Sequence, residues 1–469
     1  MTFFSSASRW LLFACLVYSP WAYGSTRPWT VEILNAWLLT CLVLQAMGWI
    51  VEKRFPRFPI LPSACLILLL FESGWMYYNA HSYFDDAFEQ FVSIPHPFPN
   101  LPGSCDKAAT LFTLQTQAVM AGVFWLVLDL VSNRVWKRRL WLTMGLAGLS
   151  IVLLGLSQRA FQAPSIFWLK ENTGSSFFGA YRYHANAGAF LNLIWPVLAC
   201  LLVQSWRKKD ANFERAFWCA ALFLTVAGCF INTSRGANAI TLVLLPLGGL
   251  WLLPKLNWGK ASMSIPVRLV IALVVLAAIA IAIWGDATIK AKMRWEHLDS
   301  ELNMDNLRLL VYEACLRTIP DAGWFGFGPG TFSIIFPFHT QFLGDRIFGF
   351  WRFAHEDYLQ TVIEYGYAGA AVWAIFFFSG LAHALRRSFQ AMIRTSDTLM
   401  FRASSLALLS VALHSLVDFP LQIASILFYV TVFLAVAWHR PDVQIQPHPA
   451  SQNAETSKAA AKTRLTSNV

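Results

Sequence analysis

The stretch FAHEDYLQ places three titratable side chains, His355, Glu356 and Asp357, directly before an apolar run. A histidine titrates near neutral pH and can take a proton from a hydroxyl group, whereas carboxyl groups can support it or cap a helix. On a helix, neighbouring side chains point about 100° apart, so the three cannot all face one substrate. His355 is the predicted catalytic base, with Glu356 and Asp357 as supporting residues. A solvated helix cap is the structural alternative.

Two arginines could supply complementary charge. Arg235 lies in INTSRGANAI, between two apolar runs, where a charged side chain is costly and usually functional. The alternative is an arginine that reaches out to the membrane interface. Arg308 lies in the polar stretch IKAKMRWEHLDSELNMDNLRLLVYEACLRTI, in which Leu307, Leu310, Val311 and Cys315 have helical spacing. Two guanidinium groups suit an anion with several oxygens, such as a diphosphate, so with His355 they predict a site where a diphosphate leaves and a hydroxyl attacks.

Further polar side chains occur in the segments YRYHANAG and HSLVDFP. The candidate substrate-binding residues there are Arg182, His184, Asn186, His414 and Asp418. The sequence holds no CxxC and no Cys/His cluster, so we predict no metal site. GFGPG lacks the Lys-Ser/Thr that follows in a phosphate-binding loop, and its glycines and proline indicate a turn instead.

Membrane-spanning helices must position these residues. The 469-residue chain is 57% hydrophobic and 13% charged, whereas soluble domains carry about 25% charged residues. The sequence contains twelve apolar runs of roughly spanning length. They lie near 8–24, 31–51, 59–78, 109–132, 140–158, 186–205, 215–231, 237–254, 268–285, 366–385, 402–418 and 421–438. The predicted fold class is therefore an all-α integral membrane protein with about 12 transmembrane helices.

The gaps between these runs alternate in charge. Basic gaps include VEKRFPRF, NRVWKRR, WRKKD and RRSFQAMIR, whereas SYFDDAFEQF, 170–183 and 286–365 form the other set. Lys and Arg favour the cytoplasmic side, so both termini are predicted to be cytoplasmic. The net charge of +10 does not indicate a nucleic-acid partner, because the basic residues fall mainly in these short gaps.

The same pattern divides the chain into four parts. Residues 1–285 would hold transmembrane helices 1–9, and 286–365 would form one large periplasmic segment between helices 9 and 10. Residues 366–440 would hold helices 10–12, and 441–469 is a polar tail that we predict to be disordered and cytoplasmic. Cys105 and Cys315 both fall in predicted outer segments, so a disulfide between them is conceivable.

Several pieces of the chain together resemble the O-antigen ligase/polymerase superfamily. They are SPWAYGSTRPW, YHANAGAFL, SRGA, NLRLLVYEACLRTIPDAGWFGFGPGTF, AHEDYLQTVIEYGYAG and HSLVDFPL, and they cover most of 19–425. Each piece is loose, but their order and the large outer segment before His355 are together fairly specific. The resemblance implies a multispanning, inverting glycosyltransferase that uses no metal, nucleotide sugar or other cofactor.

The implied donor is a glycan linked to undecaprenyl diphosphate, used at the periplasmic face of a bacterial inner membrane among its lipids. The acceptor would be a lipid A core sugar in a ligase, a growing glycan in a polymerase, or a protein hydroxyl in related enzymes. The family's two arginines and histidine map onto Arg235, Arg308 and His355. Family members often carry Asn after the histidine, where this chain has Glu356. This leaves open whether Glu356 orients His355 or shares the base role.

Other functional classes fit less well. A glycan transporter or flippase would place ionisable groups near the bilayer midplane, where the chain offers few, such as Glu72 and, nearer the inner face, Asp129. A membrane scaffold would not need Arg235. Within the superfamily, the span count and the absence of a long C-terminal repeat domain favour a ligase, with an O-antigen or exopolysaccharide polymerase as the alternative.

Overall fold

The computed structural model describes residues 2–54, 56–169, 176–252, 298–347, 349–390 and 395–441. Long helices in these ranges follow the apolar runs, except the helix Leu298–Ala322, which lies in the predicted outer segment 286–365. They are α1 Phe3–Trp21, α2 Pro28–Val51, α3 Ile60–Tyr78, α4 Lys107–Val131, α5 Arg134–Ala160, α6 His184–Trp206, α7 Asn212–Ile231, α8 Arg235–Leu252, α9 Leu298–Ala322, α10 Asp357–Ser388, α11 Thr395–His414 and α12 Ala424–Trp438. The predicted span at 268–285 and the predicted tail beyond residue 441 lie outside the described residues.

The predicted fold class is confirmed. Eight helices of the described part, α2 to α8 and α10, are long and apolar enough to cross a membrane, and α12 is a shorter apolar helix. Polar side chains cap the first turn of several of these helices, because the first backbone N–H groups of a helix have no partner within it. The Asp106 carboxylate accepts from the Ala109 N–H at 2.6 Å before α4, and Asn133 accepts from the Val135 N–H at 3.0 Å before α5.

Helix α6 lies at the centre of the bundle. Every residue in its most apolar stretch is buried, whereas 28% of the corresponding stretch of α2 is buried. The neighbouring helices approach α6 closely because they carry small residues where they face it. A Cβ atom at Gly148 of α5 would lie 2.3 Å from Ile194 of α6. The chain therefore builds a packed interior around α6 and leaves its outer helices apolar toward lipid.

A small hairpin interrupts the helical pattern. Strands β1 (Ser82–Asp85) and β2 (Gln90–Ser93) pair antiparallel, with Ser82 opposite Ser93. The rings of Phe84 and Phe91, which face each other across the strands, lie 5.3 Å apart. The sequence analysis treated this stretch only as an outer gap, so the hairpin is an addition to the predicted fold.

The large segment before α10 ends in a kink rather than at a simple membrane boundary. Helix α10 begins at Asp357, whereas the sequence predicted a span from 366, and it bends at Gly366 (φ 64°, ψ −173°). The glycine-rich turn, residues 323–330, packs into this bend. The Tyr367 N–H donates to the Gly323 carbonyl at 3.1 Å, and the Phe327 N–H donates to the Ile363 carbonyl at 3.0 Å. A Cβ at Gly366 would lie 2.3 Å from the Phe325 nitrogen, so only glycine fits there.

The disulfide considered for Cys105 and Cys315 is not formed. Both are buried free thiols. Cys315 packs in a separate apolar cluster with Val311, Phe332 and Phe336. Cys105 and Cys315 therefore each pack as small apolar side chains and are not joined to each other.

Ion pairs to buried carboxylates hold the helices together at one end of the bundle. Asp129 of α4 contacts Arg9 of α1 at 3.0 Å and Arg54 at 2.8 Å, and Lys137 of α5 contacts Asp397 of α11 at 2.6 Å. We call these five residues the basic end. The opposite end, where α6, α8 and α10 begin and α11 ends, carries the polar residues that the sequence analysis selected.

Candidate functional site

His355 lies in a short turn directly before α10 and has a left-handed backbone, with φ 56°. This region is unfavourable for residues other than glycine, and strain of this kind clusters at functional sites. Two contacts hold the turn. The Tyr312 hydroxyl donates to the His355 carbonyl at 2.8 Å, and the Ala354 N–H donates to the Gln360 side chain at 3.1 Å.

The imidazole of His355 is paired with Asp418. Nδ1 lies 3.2 Å from Asp418 Oδ1, and the carboxylate side chain is only 5% exposed while the histidine side chain is 21% exposed. Burial alone would raise the pKa of Asp418, but the hydrogen bond from His355 and the positive charges of His414, His355 and Arg308 outweigh it and lower this pKa. An ionised Asp418 fixes the tautomer, so Nε2 is the nitrogen that a substrate can meet.

Arg308 reaches the same place from α9. Its Nη2 donates to the Tyr183 hydroxyl at 3.2 Å. The Tyr183 ring stacks on Phe419 with centroids 5.8 Å apart and an interplanar angle of 7°, and it meets the His355 ring edge-on at 6.2 Å. The structure thus brings Arg308, His355 and Asp418 together, with Tyr183 between them.

Arg235 begins α8 at this end of the bundle. The segment just before it adjoins α6, because the Asn232 side chain donates to the His184 carbonyl at 2.8 Å. The start of α8 also adjoins the turn that carries Asp418, since a Cβ at Gly236 would lie 3.4 Å from Val417. The arginine therefore combines its charge with the N-terminus of an 18-residue helix, which also favours anions.

The two predicted supporting carboxylates have other contacts. Glu356 caps α10 by accepting from the Leu359 N–H. Asp357 is buried and accepts from the Ser415 hydroxyl at 2.9 Å and from the Leu421 N–H at 3.0 Å. Of the three adjacent titratable residues, only His355 pairs with the distant carboxylate of Asp418. Glu356 caps the start of α10, and Asp357 holds the neighbouring residues Ser415 and Leu421.

The remaining candidates differ in exposure. The Arg182 side chain is exposed, whereas His184 and Asn186 are buried at the start of α6. His414 is 2% exposed at the end of α11, and its Nδ1 has no hydrogen-bond partner among the described residues. His414 acts electrostatically on Asp418, so it belongs to the surroundings of the His355–Asp418 pair.

A cavity of about 320 Å³ lies beside this group, between α3, α4, α10 and α12. Most of its lining is apolar, including Leu66, Met120 and Trp373, while Asp357 and Gln422 contribute polar groups. Asp357 and Ser415, which also lines the cavity, are bonded to each other at the turn that precedes Asp418. An apolar space within the membrane region therefore adjoins a polar, histidine-containing site.

The glycine-rich turn serves as a backbone cradle for a carboxylate. Glu364 of α10 accepts from the Gly330 N–H at 3.0 Å and the Phe332 N–H at 3.3 Å, and the Gln360 side chain donates to it at 3.0 Å. The turn thereby fixes α10 just after His355. Within the described ranges, no group of three or more His, Cys, Asp or Glu side chains is placed to hold a metal ion.

Sequence reasoning missed Tyr183, Tyr312 and Phe419. Tyr183 lies in YRYHANAG between residues that were selected, but an uncharged phenol gave no signal of its own. The pairing of Asp418 with His355 was also missed, because 63 positions separate them. Only the packing of α6, α9 and α11 around the start of α10 shows these contacts.

Comparison with known families adds an independent finding. Residues 220–374 match a family model described as O-antigen ligase. The matched range contains Arg235, Arg308 and His355, whereas Tyr183 and Asp418 lie outside it. No curated protein matches the chain.

Proposed function

We propose that the chain belongs to the O-antigen ligase/polymerase superfamily and that it is an O-antigen ligase. The match of residues 220–374 to the O-antigen ligase family model supports this proposal. In this proposal it moves a glycan from undecaprenyl diphosphate to a sugar of the lipid A core, with inversion and without a metal. The reaction takes place at the periplasmic face of the inner membrane. Lipid-linked glycan substrates in a membrane are what the family implies.

The observation that carries the proposal is the His355–Asp418 pair beside Arg308. The acceptor oxygen attacks the sugar C1 from the face opposite the diphosphate, and the C1–oxygen bond breaks with its electron pair going to the diphosphate. Nε2 of His355 takes the acceptor proton, while Asp418 stabilises the imidazolium. Arg235 and Arg308 stabilise the charge that grows on the leaving diphosphate. Asp418 takes the orienting role that the sequence left open for Glu356.

The neighbouring cavity supports a lipid-linked donor. Its apolar lining lies among helices that are long enough to cross a membrane, and its polar residues adjoin the site. A donor with an apolar chain and a diphosphate would place the chain among Leu66, Met120 and Trp373 and the diphosphate near the arginines. A soluble nucleotide sugar would not need such an arrangement.

Transfer from a purified donor tests the proposal. The full chain in detergent is mixed with glycan-labelled undecaprenyl diphosphate and with lipid A core oligosaccharide. We expect label on the core and release of undecaprenyl diphosphate. Label that appears only in longer glycans would indicate a polymerase, and movement of donor across vesicles without transfer would indicate a flippase; either result would overturn the ligase assignment.

Orientation is tested by thiol labelling. In a background without Cys105 and Cys315, a cysteine at Gln341 should react with an impermeant reagent from the periplasm, and one at Lys208 should not. We expect this pattern because Lys208 lies in a basic gap. Reversed labelling would put the site in the cytoplasm and exclude a periplasmic reaction.

A further inference from the structure

Tyr183 occupies the junction between the arginine and the histidine pair. Its hydroxyl accepts from Arg308 Nη2 at 3.2 Å, and its ring stacks on Phe419, next to Asp418, whose carboxylate acts on the phenol electrostatically. Asp418 in turn holds His355 Nδ1 at 3.2 Å. A single phenol therefore connects the group predicted to bind the leaving diphosphate with the group predicted to orient the base.

The position of this hydroxyl is set by its ring. Tyr183 stacks on Phe419, the residue directly after Asp418, and Phe419 stacks on Phe353 with centroids 4.4 Å apart. Tyr183 also stands at the N-cap of α6, the central helix. The phenol is thus fixed relative to both the Asp418 turn and the His355 turn, and its contacts do not depend on a flexible side chain.

The position between Arg308 and Asp418 suits a group that can both accept and donate a hydrogen bond. Arg308 and Asp418 carry opposite charges and act on each other electrostatically. Arg308 meets the Tyr183 oxygen, while the Asp418 carboxylate meets His355 Nδ1. A phenol offers one donor and an acceptor oxygen, so it can receive the Arg308 N–H and direct its own proton at Asp418.

The phenol keeps the proton that this arrangement requires. Burial raises the pKa of Tyr183, and the adjacent Asp418 carboxylate acts in the same direction more strongly than Arg308 opposes it. The hydroxyl therefore remains a donor at neutral pH.

We propose that Tyr183 is a positioning residue that joins Arg308 to the His355–Asp418 pair through its hydroxyl. Its part in glycan transfer rests on the function proposed above. The connection itself rests on the Arg308–Tyr183 hydrogen bond and on the Tyr183–Phe419 stack that brings the phenol next to Asp418. It holds the guanidinium in place for a diphosphate and partly neutralises Asp418, which tunes how strongly His355 holds a proton.

Several other charged and titratable groups surround the His355–Asp418 pair, so a test variant should leave all of them unchanged. The charged and titratable side chains around His355 and Asp418 include Arg308 and Tyr312 from α9, Glu356 and Asp357 from the start of α10, His414 from α11 and Tyr183 from the start of α6. Tyr183→Phe changes none of the others and retains the ring that stacks on Phe419. Its effect therefore reports on the hydroxyl.

The matched control is Tyr181→Phe. Tyr181 lies two residues earlier, is fully buried, and its hydroxyl lies 3.0 Å from the Ser425 hydroxyl. It loses the same atom from the same segment, and its hydroxyl contacts Ser425 rather than Arg308 or Asp418. A general effect of removing a buried phenol hydroxyl should appear equally in both variants.

The test is a histidine-selective NMR titration of the full chain in detergent, with the His355 signal assigned by its loss in His355→Gln. Without the Tyr183 hydroxyl, Asp418 is less neutralised and stabilises the imidazolium more strongly. We expect the midpoint of the His355 signal to rise by roughly half a pH unit or more in Tyr183→Phe and to stay unchanged in Tyr181→Phe. An unchanged or lower midpoint in Tyr183→Phe would overturn the proposal.

A double-mutant cycle keeps the proposal testable if one variant is hard to purify. In an Asp418→Asn background, Tyr183→Phe should no longer shift the midpoint, because the hydroxyl acts through the carboxylate. A shift of the same size in both backgrounds would show that Tyr183 acts by another route and would overturn the connection.

Transfer assays then separate this inference from the proposed function. Tyr183→Phe should lower the turnover rate about tenfold, and the acid limb of its pH–rate profile should move to higher pH, whereas Tyr181→Phe should match the parent. A parent protein without transfer would refute the proposed function while the NMR titration still decides the role of Tyr183. An active parent with an unaltered Tyr183→Phe profile would refute only the role of Tyr183.

Discussion

The two ends of the helix bundle use buried carboxylates in different ways. At the basic end, Asp129 meets Arg9 and Arg54, and Asp397 meets Lys137. All three partners are arginine or lysine side chains, a class of cation whose ordinary pKa lies well above neutral pH.

At the other end, Asp418 meets His355, a group that can gain and lose a proton, and Arg308 donates to a neutral phenol. Permanent ion pairs hold helices in register but cannot move a proton. The histidine pair can do so, and this difference locates the chemistry.

Removing either arginine should have the largest effect among the charged partners. Arg235→Ala and Arg308→Ala should each raise the transfer barrier by about 2–4 kcal/mol, as loss of one oxyanion donor does. Lysine should restore little, because it lacks the planar fork. The measurement is the turnover rate at saturating donor.

The matched control is Arg317→Ala on the same helix, where Arg317 pairs with the exposed Glu313. This change should leave transfer near the parent rate. Parent-like transfer by Arg235→Ala or Arg308→Ala, at normal expression, would remove that residue from the site.

Asp418→Asn should have the next largest effect. The amide carries no negative charge to stabilise the imidazolium, so we expect a loss of about 10- to 100-fold in turnover, the size of one lost hydrogen bond to a charged group. Donor binding, measured in parallel, should change little.

A second histidine–aspartate pair provides the control. His339 Nδ1 lies 3.5 Å from Asp321, whose side chain is 65% exposed. Asp321→Asn should leave the rate unchanged. Equal losses in both variants would show that Asp418 acts through general electrostatics rather than through His355.

Changes at the basic end should affect stability but not the chemistry. Lys137→Met leaves the buried Asp397 carboxylate without the Lys137 cation, which should lower the free energy of unfolding by about 3–5 kcal/mol. Lys137→Met with Asp397→Leu should recover much of this loss. The measurements are thermal unfolding in detergent and transfer per folded molecule. A reduced rate per folded molecule at unchanged stability would contradict the division between the two ends.

The sequence predicted the helices well because a spanning helix needs only an uninterrupted apolar run of sufficient length. It placed the start of α10 near 366 rather than at Asp357, because the Glu356 cap and the bend at Gly366 depend on the glycine-rich turn that packs against them. The β1–β2 hairpin was missed for a similar reason, since two four-residue strands carry little pattern of their own.

The candidate site was predictable in its charged residues but not in its pairings. His355, Arg308 and Asp418 are conspicuous as polar groups next to apolar runs. Glu356 looked like the natural partner of His355 because it follows directly in sequence, yet a helix start turns adjacent side chains apart. The partner of His355 is instead Asp418. The neutral Tyr183, which bonds to Arg308, lies 125 positions before that arginine in the sequence. Such contacts arise only from tertiary packing.

The most direct test of the account compares His355→Gln with Glu356→Gln in transfer from purified donor, with donor binding measured in parallel and His339→Gln as the control. Glutamine can replace the hydrogen bond of His355 but cannot take a proton, whereas glutamine at 356 can still cap α10. We predict that His355→Gln binds donor and transfers no glycan, that Glu356→Gln retains most of the rate, and that His339→Gln matches the parent. A His355→Gln variant that retains most of the rate while Glu356→Gln has none would show that Glu356 is the base and contradict the account.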